Sequence, residues 1–181
     1  MAPILKRAKL NGFSFAEVCV AIVVCALFGA AAFATNQRLL LALKNQKEST
    51  AATMMLQERM EKFRGFSYSN VASRSYVSTN VVQSPTTSEA ALGNLTETIT
   101  VSGQTLAVSP SPSPSATPAD NMNQWTRNST YPTGQEQAHD DNLATQFDLL
   151  KVDILLSWTS ANGRVRNREL AAFFGKGNIG Q

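Results

Sequence analysis

The chain has 181 residues, of which 43% are apolar and only 16% are charged. A length of this order is typical of one domain with an appendage, and it excludes a large multidomain enzyme. Sixteen basic and 13 acidic residues give a net charge of +3, which at first suggests an anionic partner such as nucleic acid or a membrane surface. The excess is local, however. Lys6, Arg7 and Lys9 precede residue 12, and the remainder carries 13 charges of each sign.

A long apolar segment follows this basic N-terminus. From Val18 to Ala34 there is neither a charged residue nor a proline, and the uncharged stretch continues to Gln37, for 20 residues. At about 1.5 Å per residue, a helix of this length spans a hydrocarbon core of ~30 Å. Because basic flanking residues stay on the cytoplasmic side, the sequence predicts a single-pass helix with a cytoplasmic N-terminus and an exported C-terminal domain.

Glu17 lies at the start of this apolar segment. A carboxylate in a membrane helix costs roughly 2.5–3.5 kcal/mol, which makes Glu17 a candidate functional residue. The apolar segment contains no cation that could pair with it. Cleavage after Gly12 would create an amine on Phe13, and this amine of a neighbouring copy could meet Glu17 when helices pack side by side.

Residues 11–18 (NGFSFAEV), after a short basic leader and before a long apolar stretch, resemble the processing site of type IV prepilins and pseudopilins. The resemblance implies cleavage by a prepilin peptidase after Gly12 and N-methylation of Phe13 by the same enzyme. It also implies that Glu17 acts in docking and register during filament assembly. Lys6, Arg7 and Lys9 would then form a leader that sets the topology and is removed.

Two other interpretations of the N-terminus remain open. One is a secretory signal peptide, with Ala32-Phe33-Ala34 as its small-residue cleavage site and Thr35 as the new N-terminus. The other is an uncleaved single-pass anchor. The prepilin interpretation is favoured because Gly, Phe, Glu and the apolar run stand at fixed offsets, although the family usually has Thr-Leu where this chain has Ser14-Phe15.

Both cysteines of the chain, Cys19 and Cys25, lie within the apolar run. Six residues apart on a helix, they point about 120° from each other and cannot form a disulfide within one chain. We interpret them as small apolar packing residues. Major pilins often carry a C-terminal disulfide loop, so the lack of cysteine downstream favours a minor pilin or a pseudopilin.

The helical pattern continues beyond the apolar segment. Residues 35–64 are rich in good helix formers, and Gly65 is a plausible C-cap, so we expect one helix over residues 13–64. Four apolar residues recur at helical spacing and are expected to pack on a core: Ala52, Leu56, Met60 and Phe63. The predicted organisation is a leader at 1–12, a transmembrane and assembly segment at 13–37, the exported half of the helix at 38–65, and a β domain at 66–181.

The first part of the β domain is rich in serine and threonine. We expect a short strand around residues 74–82 and another at 95–101, where Glu97, Ile99 and Val101 alternate with threonines. Ser102-Gly103-Gln104 is expected to turn the chain into a further strand at 105–108. Residues 109–118 (SPSPSPSATP) are of low complexity and predict an extended loop.

The clearest strand signal comes near the C-terminus. Alternate residues form an unbroken apolar row: Leu150, Val152, Ile154, Leu156 and Trp158. Asn162-Gly163 then predicts a type I′ turn and an antiparallel hairpin.

Pairing across that turn would place Arg166 opposite Thr159 and Arg168 opposite Ser157, on the outer face. On the core face it would place Phe173 opposite Val152 and Ala171 opposite Ile154, together with Asn167 and Glu169. Because those two polar residues suit a core poorly, we expect a bulge or an open sheet edge there.

Two groups of charged residues are candidate binding sites. Arg164, Arg166 and Arg168 alternate along one strand; a charged face that discourages edge-to-edge pairing is favoured over a phosphate-binding stripe. The second group is an acidic patch, for which a solvated loop is favoured over a calcium site: His139, Asp140, Asp141 and Asp148.

No P-loop, no G-x-S-x-G motif and no nucleophile–base pair is visible in the sequence, so we predict no catalytic site, metal or cofactor.

Together these features predict an α+β, pilin-like fold, in which a long N-terminal helix, transmembrane in its first half, packs on a small antiparallel β-sheet. The predicted function is a structural subunit of a type IV pilus or type II secretion filament, located in the inner (cytoplasmic) membrane and later in the pilus or pseudopilus. Expected partners are a prepilin peptidase, other pilins or pseudopilins, and inner-membrane lipid. The alternative is a membrane-anchored or pilus-tip binding module, either an adhesin or a DNA receptor, with nucleic acid the least favoured partner.

Overall fold

The computed structural model of the chain describes residues 14–104, 121–138, 140 and 143–177. These residues form an α+β fold in which a long N-terminal helix packs on a small antiparallel sheet, as the sequence predicted. The chain divides into two compact units, the first at Met1–Ala42 and the second at Leu43–Gln181.

The long helix, α1, extends over Phe15–Arg64, 50 residues without a break. In the first unit, every described side chain from residue 14 to residue 42 is exposed. This part of the helix therefore contributes no buried residue to the hydrophobic core, although most of its side chains are apolar.

In the second unit, one face of α1 is buried against the rest of the domain. The four residues predicted to form an apolar stripe are all between 0% and 4% exposed, which confirms that prediction: Ala52, Leu56, Met60 and Phe63. Glu48 and Arg59 are buried on the same face. The helix therefore contributes both apolar packing and charged groups to the interior.

After α1 the chain forms two short helices, α2 (Tyr68–Ala72) and α3 (Arg74–Val77), followed by a π-helical turn at Ser78–Val82. The strand predicted around residues 74–82 is therefore wrong. Its valines suggested a strand by composition. Val77 and Val81 are four residues apart, however, so one helical face buries both of them in the core.

A five-stranded antiparallel sheet follows, in the spatial order β3-β2-β1-β4-β5. Before β1 there is a 3₁₀ turn at Glu89–Ala91, and before β4 there is a short helix, α4, at Leu143–Gln146. The strands are β1 (Thr96–Gln104), β2 (Met122–Arg127), β3 (Gln135–Ala138), β4 (Leu149–Thr159) and β5 (Val165–Gly175).

Strand β1 lies at the centre of this sheet and confirms the strand predicted at 95–101, but the turn predicted at Ser102-Gly103-Gln104 is wrong. Ser102 pairs with Met122 of β2 on one side and with Lys151 of β4 on the other, so the ladder carries the strand on to Gln104. Gly103 is needed for close packing rather than for a turn. A Cβ atom there would lie 2.1 Å from the ring of Phe147. The strand predicted at 105–108 and the loop predicted at 109–118 lie outside the described residues.

The apolar row predicted in β4 is confirmed, and it faces the core. All five of its side chains are between 0% and 2% exposed: Leu150, Val152, Ile154, Leu156 and Trp158. The opposite face of β4 is more open, with Leu155 39% exposed. Period-two alternation therefore identified the buried face of this strand correctly.

The register of the β4–β5 hairpin differs from the prediction by one residue. The backbone N–H of Ser160 donates to the carbonyl of Arg164 (2.9 Å), and that of Gly163 donates to the carbonyl of Ser160 (2.8 Å). Gly163 has φ +77°, so a turn of three residues with a left-handed glycine connects the strands instead of a two-residue type I′ turn.

Because side chains alternate between the faces, this one-residue difference exchanges the two faces of β5. Arg166 pairs with Trp158 and Arg168 with Leu156, so both arginines lie on the helix-facing side. The core-facing positions are instead occupied by Leu170, Ala172 and Phe174, which are partly buried. The residues wrongly assigned to the core face are on the outer face: Asn167, Glu169, Ala171 and Phe173. Pairing between β4 and β5 is unbroken, so there is no bulge between them, while β5 is an open edge of the sheet.

Candidate functional site

Helix α1 begins with a capping box formed by Ser14 and Glu17. The backbone N–H of Ser14 donates to Oε2 of Glu17 (2.8 Å), and the backbone N–H of Glu17 donates to Oγ of Ser14 (3.3 Å). This pairing is the Ser-x-x-Glu arrangement that satisfies backbone donors at the start of a helix. These two hydrogen bonds give Glu17 a local role at the start of the helix, and its side chain is exposed.

The other residues predicted for the N-terminal site lie outside the described residues. They are Lys6, Arg7, Lys9, Gly12 and Phe13. Cleavage after Gly12, methylation of Phe13 and the topological role of the leader therefore stay predictions. Of this site, the structure describes the position and contacts of Glu17 only.

The apolar part of α1 in the first unit presents large side chains to its surroundings. Val20, Ile22, Leu27 and Phe28 are between 62% and 74% exposed. Apolar surface on this scale is typical of a membrane contact or a protein contact. By length and composition, α1 is long and apolar enough to cross a membrane. Cys19 and Cys25 are free and exposed on the same segment.

A cluster of buried charged side chains joins α1 to the centre of the sheet. Arg59 Nε lies 2.7 Å from Glu97 Oε1, and Arg59 Nη2 lies 3.0 Å from Glu97 Oε2. Arg127 Nε of β2 lies 2.9 Å from the same Oε2. Arg127 Nη1 also lies 2.9 Å from both carboxylate oxygens of Glu89. These four residues, the charge cluster, carry two positive and two negative charges.

The charge cluster also holds the segment after α3. Nη1 of Arg59 donates to the carbonyl of Val81 (2.5 Å) and to that of Ser84 (2.7 Å). Arg59 is 0% exposed and Glu97 is 1% exposed, so neither charge is solvated by bulk water. The cluster therefore ties α1, the segment around residues 81–89 and strands β1 and β2 together through charged hydrogen bonds.

The electrostatics of this cluster keep Arg127 charged. Burial disfavours its positive charge, but Glu97 and Glu89 outweigh that effect and raise the pKa of Arg127 above its ordinary value. Because each charge has a partner of opposite sign, we assign the cluster a structural role in the second unit.

The tip of the β4–β5 hairpin is held on α1 by hydrogen bonds. The carboxylate of Glu48, 6% exposed, accepts the backbone N–H of Ala161 with both oxygens at 3.2 Å. Ser160 Oγ donates to Oδ1 of Asn45 (2.5 Å). The hairpin tip is therefore fixed near the start of the part of α1 that belongs to the second unit.

The three arginines predicted as an interaction stripe lie along this hairpin, but not on the outer face. Arg166 and Arg168 line an open cleft of 460 Å³ at the free edge of β5. Ser49 and Trp158 border it from the helix side, and Glu169 borders it from the outer face of the strand. Arg168 Nη2 donates to Oγ of Ser49 (2.7 Å). The backbone of Arg164 accepts the N–H of Ser160 at the turn. The predicted placement on the outer face is therefore wrong for Arg166 and Arg168, because the hairpin register reverses the faces. That the arginines discourage edge-to-edge pairing stays a prediction.

The two described members of the predicted acidic patch, Asp140 and Asp148, are in different environments. Asp140 is 8% exposed and its backbone N–H donates to Oδ1 of Asn123, so Asp140 is not part of a solvated loop. The side chain of Asp148 is 86% exposed and lies 3.8 Å from Nζ of Lys176. His139 and Asp141 lie outside the described residues. Among residues 14–104, 121–138, 140 and 143–177, no three His, Cys, Asp or Glu side chains form a group that could hold a metal ion.

Sequence reasoning missed the charge cluster, although one signal pointed to it. Glu97 stands in the same alternating row as Ile99 and Val101, the row that faces the core. An acidic residue is almost never fully buried unless it is paired. The position of Glu97 therefore required a cationic partner, but no local pattern identifies Arg59 or Arg127 as that partner.

The fold and these sites define an α+β protein with one N-terminal helix long enough to cross a membrane. Its second unit is a helix-and-sheet domain that contains a buried charge cluster. Comparison of the chain with protein-family models, with curated proteins and with solved structures gives no match.

Proposed function

We propose that this chain is a structural subunit, a minor pilin or a pseudopilin, of a type IV pilus or a type II secretion filament. It is cleaved after Gly12, methylated on Phe13 and assembled through its N-terminal helix. The observation that carries this proposal is the processing-site pattern of residues 11–18, whose last four residues form the first turn of α1. Every described side chain from residue 14 to residue 42 is exposed.

The exposed apolar helix supports the proposal because the second unit has its own core. That core draws on α1 only from Glu48 onward, so none of the apolar side chains of the first unit is needed for it. An apolar helix left free in this way requires either lipid or other helices around it. A subunit that is first held in the inner membrane and later packs in a helical bundle would use the same apolar surface to contact lipid and then other helices.

The leader of the precursor gives the direct test. We expect the mature protein, made in cells that contain a prepilin peptidase, to begin at a methylated Phe13. Intact-mass measurement and N-terminal sequencing of the purified protein would detect this end. An N-terminus at Met1 or at Thr35 would overturn the proposal, since these are the ends expected of an uncleaved anchor and of a signal peptide.

A matched variant shows whether the glycine directs the cleavage. Gly12→Val places a branched side chain at the predicted bond, so it should leave the precursor uncut while the helix from Phe15 onward is unchanged. Ala34→Val is the control. It should block processing only if the signal-peptide interpretation holds, and in that case the prepilin proposal fails.

A further inference from the structure

The cations of the second unit fall into two groups. Seven of them form an ion pair with a carboxylate within the unit. The pairs are Arg59–Glu97, Lys62–Glu58, Arg64–Glu61, Arg74–Glu136, Arg127–Glu89, Lys151–Asp153 and Lys176–Asp148. The charges of these seven cations are therefore balanced by carboxylates of the same unit, in buried and exposed pairs alike.

The second group has no carboxylate partner among the described residues of the chain. Its members are Lys44, Lys47, Arg164, Arg166 and Arg168, which we call the basic belt. The two lysines are on the first turns of α1 in the second unit and the three arginines are on the β4–β5 hairpin. More than 110 residues of sequence separate these two sets of cations.

The fold brings the two sets to the same end of the second unit. The hairpin tip is hydrogen-bonded to Asn45 and Glu48, which directly follow Lys44 and Lys47 in α1. Lys47 lines a groove with Ser88 and Ala91, on another flank of the helix from Ser49. Arg168 in turn contacts Ser49. The belt is therefore a property of the tertiary structure, since the hairpin register also decides on which side of β5 the arginines lie.

The acidic residues close to the belt do not neutralise it. Glu48 is buried, and both of its oxygens accept the N–H of Ala161. Glu169 borders the same cleft but lies on the outer face of β5, where, after Asp153, it helps to raise the pKa of Lys151. None of these five cations forms an ion pair with a carboxylate in the described part of the chain, which favours an anion from outside it.

Chain connectivity limits where that anion can be. Asn45 is eight residues beyond Gln37, the last residue of the uncharged stretch. Eight residues span at most ~29 Å when fully extended and about 12 Å in a helix. The chain therefore tethers Asn45, which holds the hairpin tip, within ~29 Å of the last residue of the uncharged stretch.

We propose that the basic belt binds the phosphate headgroups of anionic lipids in the membrane that α1 crosses. The inference rests on the proposed function, since it needs the apolar helix to be in a bilayer. Arginine presents a planar set of donors that matches phosphate oxygens, and basic residues next to a membrane span are attracted to anionic headgroups. The belt would hold the second unit against the membrane surface before the subunit leaves for a filament.

The test uses the full chain reconstituted in lipid nanodiscs, either neutral (phosphatidylcholine) or with added phosphatidylglycerol. The measurement is hydrogen–deuterium exchange of backbone amides in residues 160–168. We expect roughly tenfold slower exchange in the anionic discs, and loss of this protection at high salt.

Three variants test the role of the charges. Arg164→Gln/Arg166→Gln/Arg168→Gln should abolish the lipid-dependent protection, and Arg164→Lys/Arg166→Lys/Arg168→Lys should retain most of it because the charge is kept. The control Arg64→Gln/Lys151→Gln/Lys176→Gln removes three cations that already have partners, and should change nothing. Equal exchange in the two kinds of disc, or equal behaviour of the glutamine and lysine variants, would overturn the proposal.

Two further outcomes separate this inference from its alternatives. Protection of residues 160–168 by a single-stranded oligonucleotide, without protection by anionic lipid, would overturn the inference in favour of nucleic acid. Release of the chain from vesicles by alkaline carbonate would overturn both the anchor and the belt. A chain that stays in the bilayer but shows no lipid dependence overturns the belt alone and leaves the proposed function standing.

Discussion

Arg59 of α1 and Glu97 of β1 form a two-point ion pair in the interior of the second unit, with N–O distances of 2.7 and 3.0 Å. The two residues are 38 positions apart in sequence, and both side chains are almost fully buried. Replacing one member of a buried pair leaves the other charge without a partner in a poorly polar environment. The stability of the domain should therefore depend strongly on this contact.

We expect Glu97→Ala to lower the free energy of unfolding of the second unit by roughly 3–5 kcal/mol, because Arg59 and Arg127 would both lose their shared carboxylate. The measurement is urea unfolding of the detergent-solubilised chain, followed by tryptophan fluorescence. Glu61→Ala is the control, since the Glu61–Arg64 pair is exposed and should contribute less than about 1 kcal/mol. Equal effects of the two substitutions would contradict the structural role of the charge cluster.

Gly103→Ala should destabilise the domain by about 1–3 kcal/mol, because the new Cβ would overlap the ring of Phe147 at 2.1 Å. Phe147→Leu should reduce this cost in the double variant, since the two side chains share one space. Thermal unfolding of the two single variants and of the double variant measures this coupling. Gly175→Ala meets nothing closer than 4.0 Å and serves as the control. Additive effects of the Gly103 and Phe147 substitutions would show that the predicted overlap is absent.

Gly163 determines the hairpin turn through its left-handed backbone, φ +77°. Gly163→Val should destabilise the turn by about 1–3 kcal/mol, and Gly163→Asn should cost less because asparagine tolerates this conformation. Hydrogen–deuterium exchange of residues 160–165 should show faster opening in the valine variant. If valine and asparagine behaved alike, the three-residue turn and the register that depends on it would be in doubt.

Tyr68 links stability to alkaline pH. Burial, together with the charge of Asp148, raises the pKa of Tyr68 above 10.0, and its hydroxyl donates to the carbonyl of Phe147. Below the ordinary pKa the hydroxyl is neutral in both states, and its stabilising contribution is complete. Above the ordinary pKa, the tyrosine of the unfolded chain loses its proton first, so the stabilising contribution falls. The contribution is lost once the pH has risen through the higher pKa of the folded state.

Melting temperatures measured from about pH 9 to about pH 11 test this linkage. Tyr68→Phe should remain folded and should show a shallower fall in melting temperature over this range than the unmodified chain. A variant with the same slope as the unmodified chain would contradict the assignment to Tyr68.

Glu17 has two roles to separate, the capping box in the structure and the proposed assembly contact. Glu17→Gln can keep the hydrogen bond to the N–H of Ser14 but loses the charge, while Ser14→Ala breaks one capping hydrogen bond and keeps the charge. If Glu17 acts in assembly, the glutamine variant should enter the membrane normally and fail to enter filaments, whereas Ser14→Ala should assemble. The measurement is immunodetection of the subunit in sheared filament and membrane fractions. Assembly of both variants would leave capping as the role of Glu17.

Several features could be predicted from the sequence because they depend on the spacing of residues that are close together in the chain. The apolar helix is a continuous composition signal, and the stripe from Ala52 to Phe63 repeats at helical spacing. The buried row of β4 alternates with period two, so its core face needed no knowledge of the partner strand. In each case the residues that carry the signal are close together in the chain.

Other features depended on contacts that no local pattern contains. Residues 74–82 became helical because the core buries Val77 and Val81 on one face, against the strand preference of their side chains. One extra residue in the turn around Gly163 exchanged the faces of β5 and moved Arg166 and Arg168 to the helix side.

By itself, the sequence determined that a membrane-length apolar helix follows a short basic segment, and that a half-buried strand lies near the C-terminus. Only the tertiary structure decided that Arg59 and Arg127 pair with Glu97, and which cations have no carboxylate partner among the described residues. The physical reason is that charge pairing is a property of distance in space, while sequence patterns report only spacing along the chain.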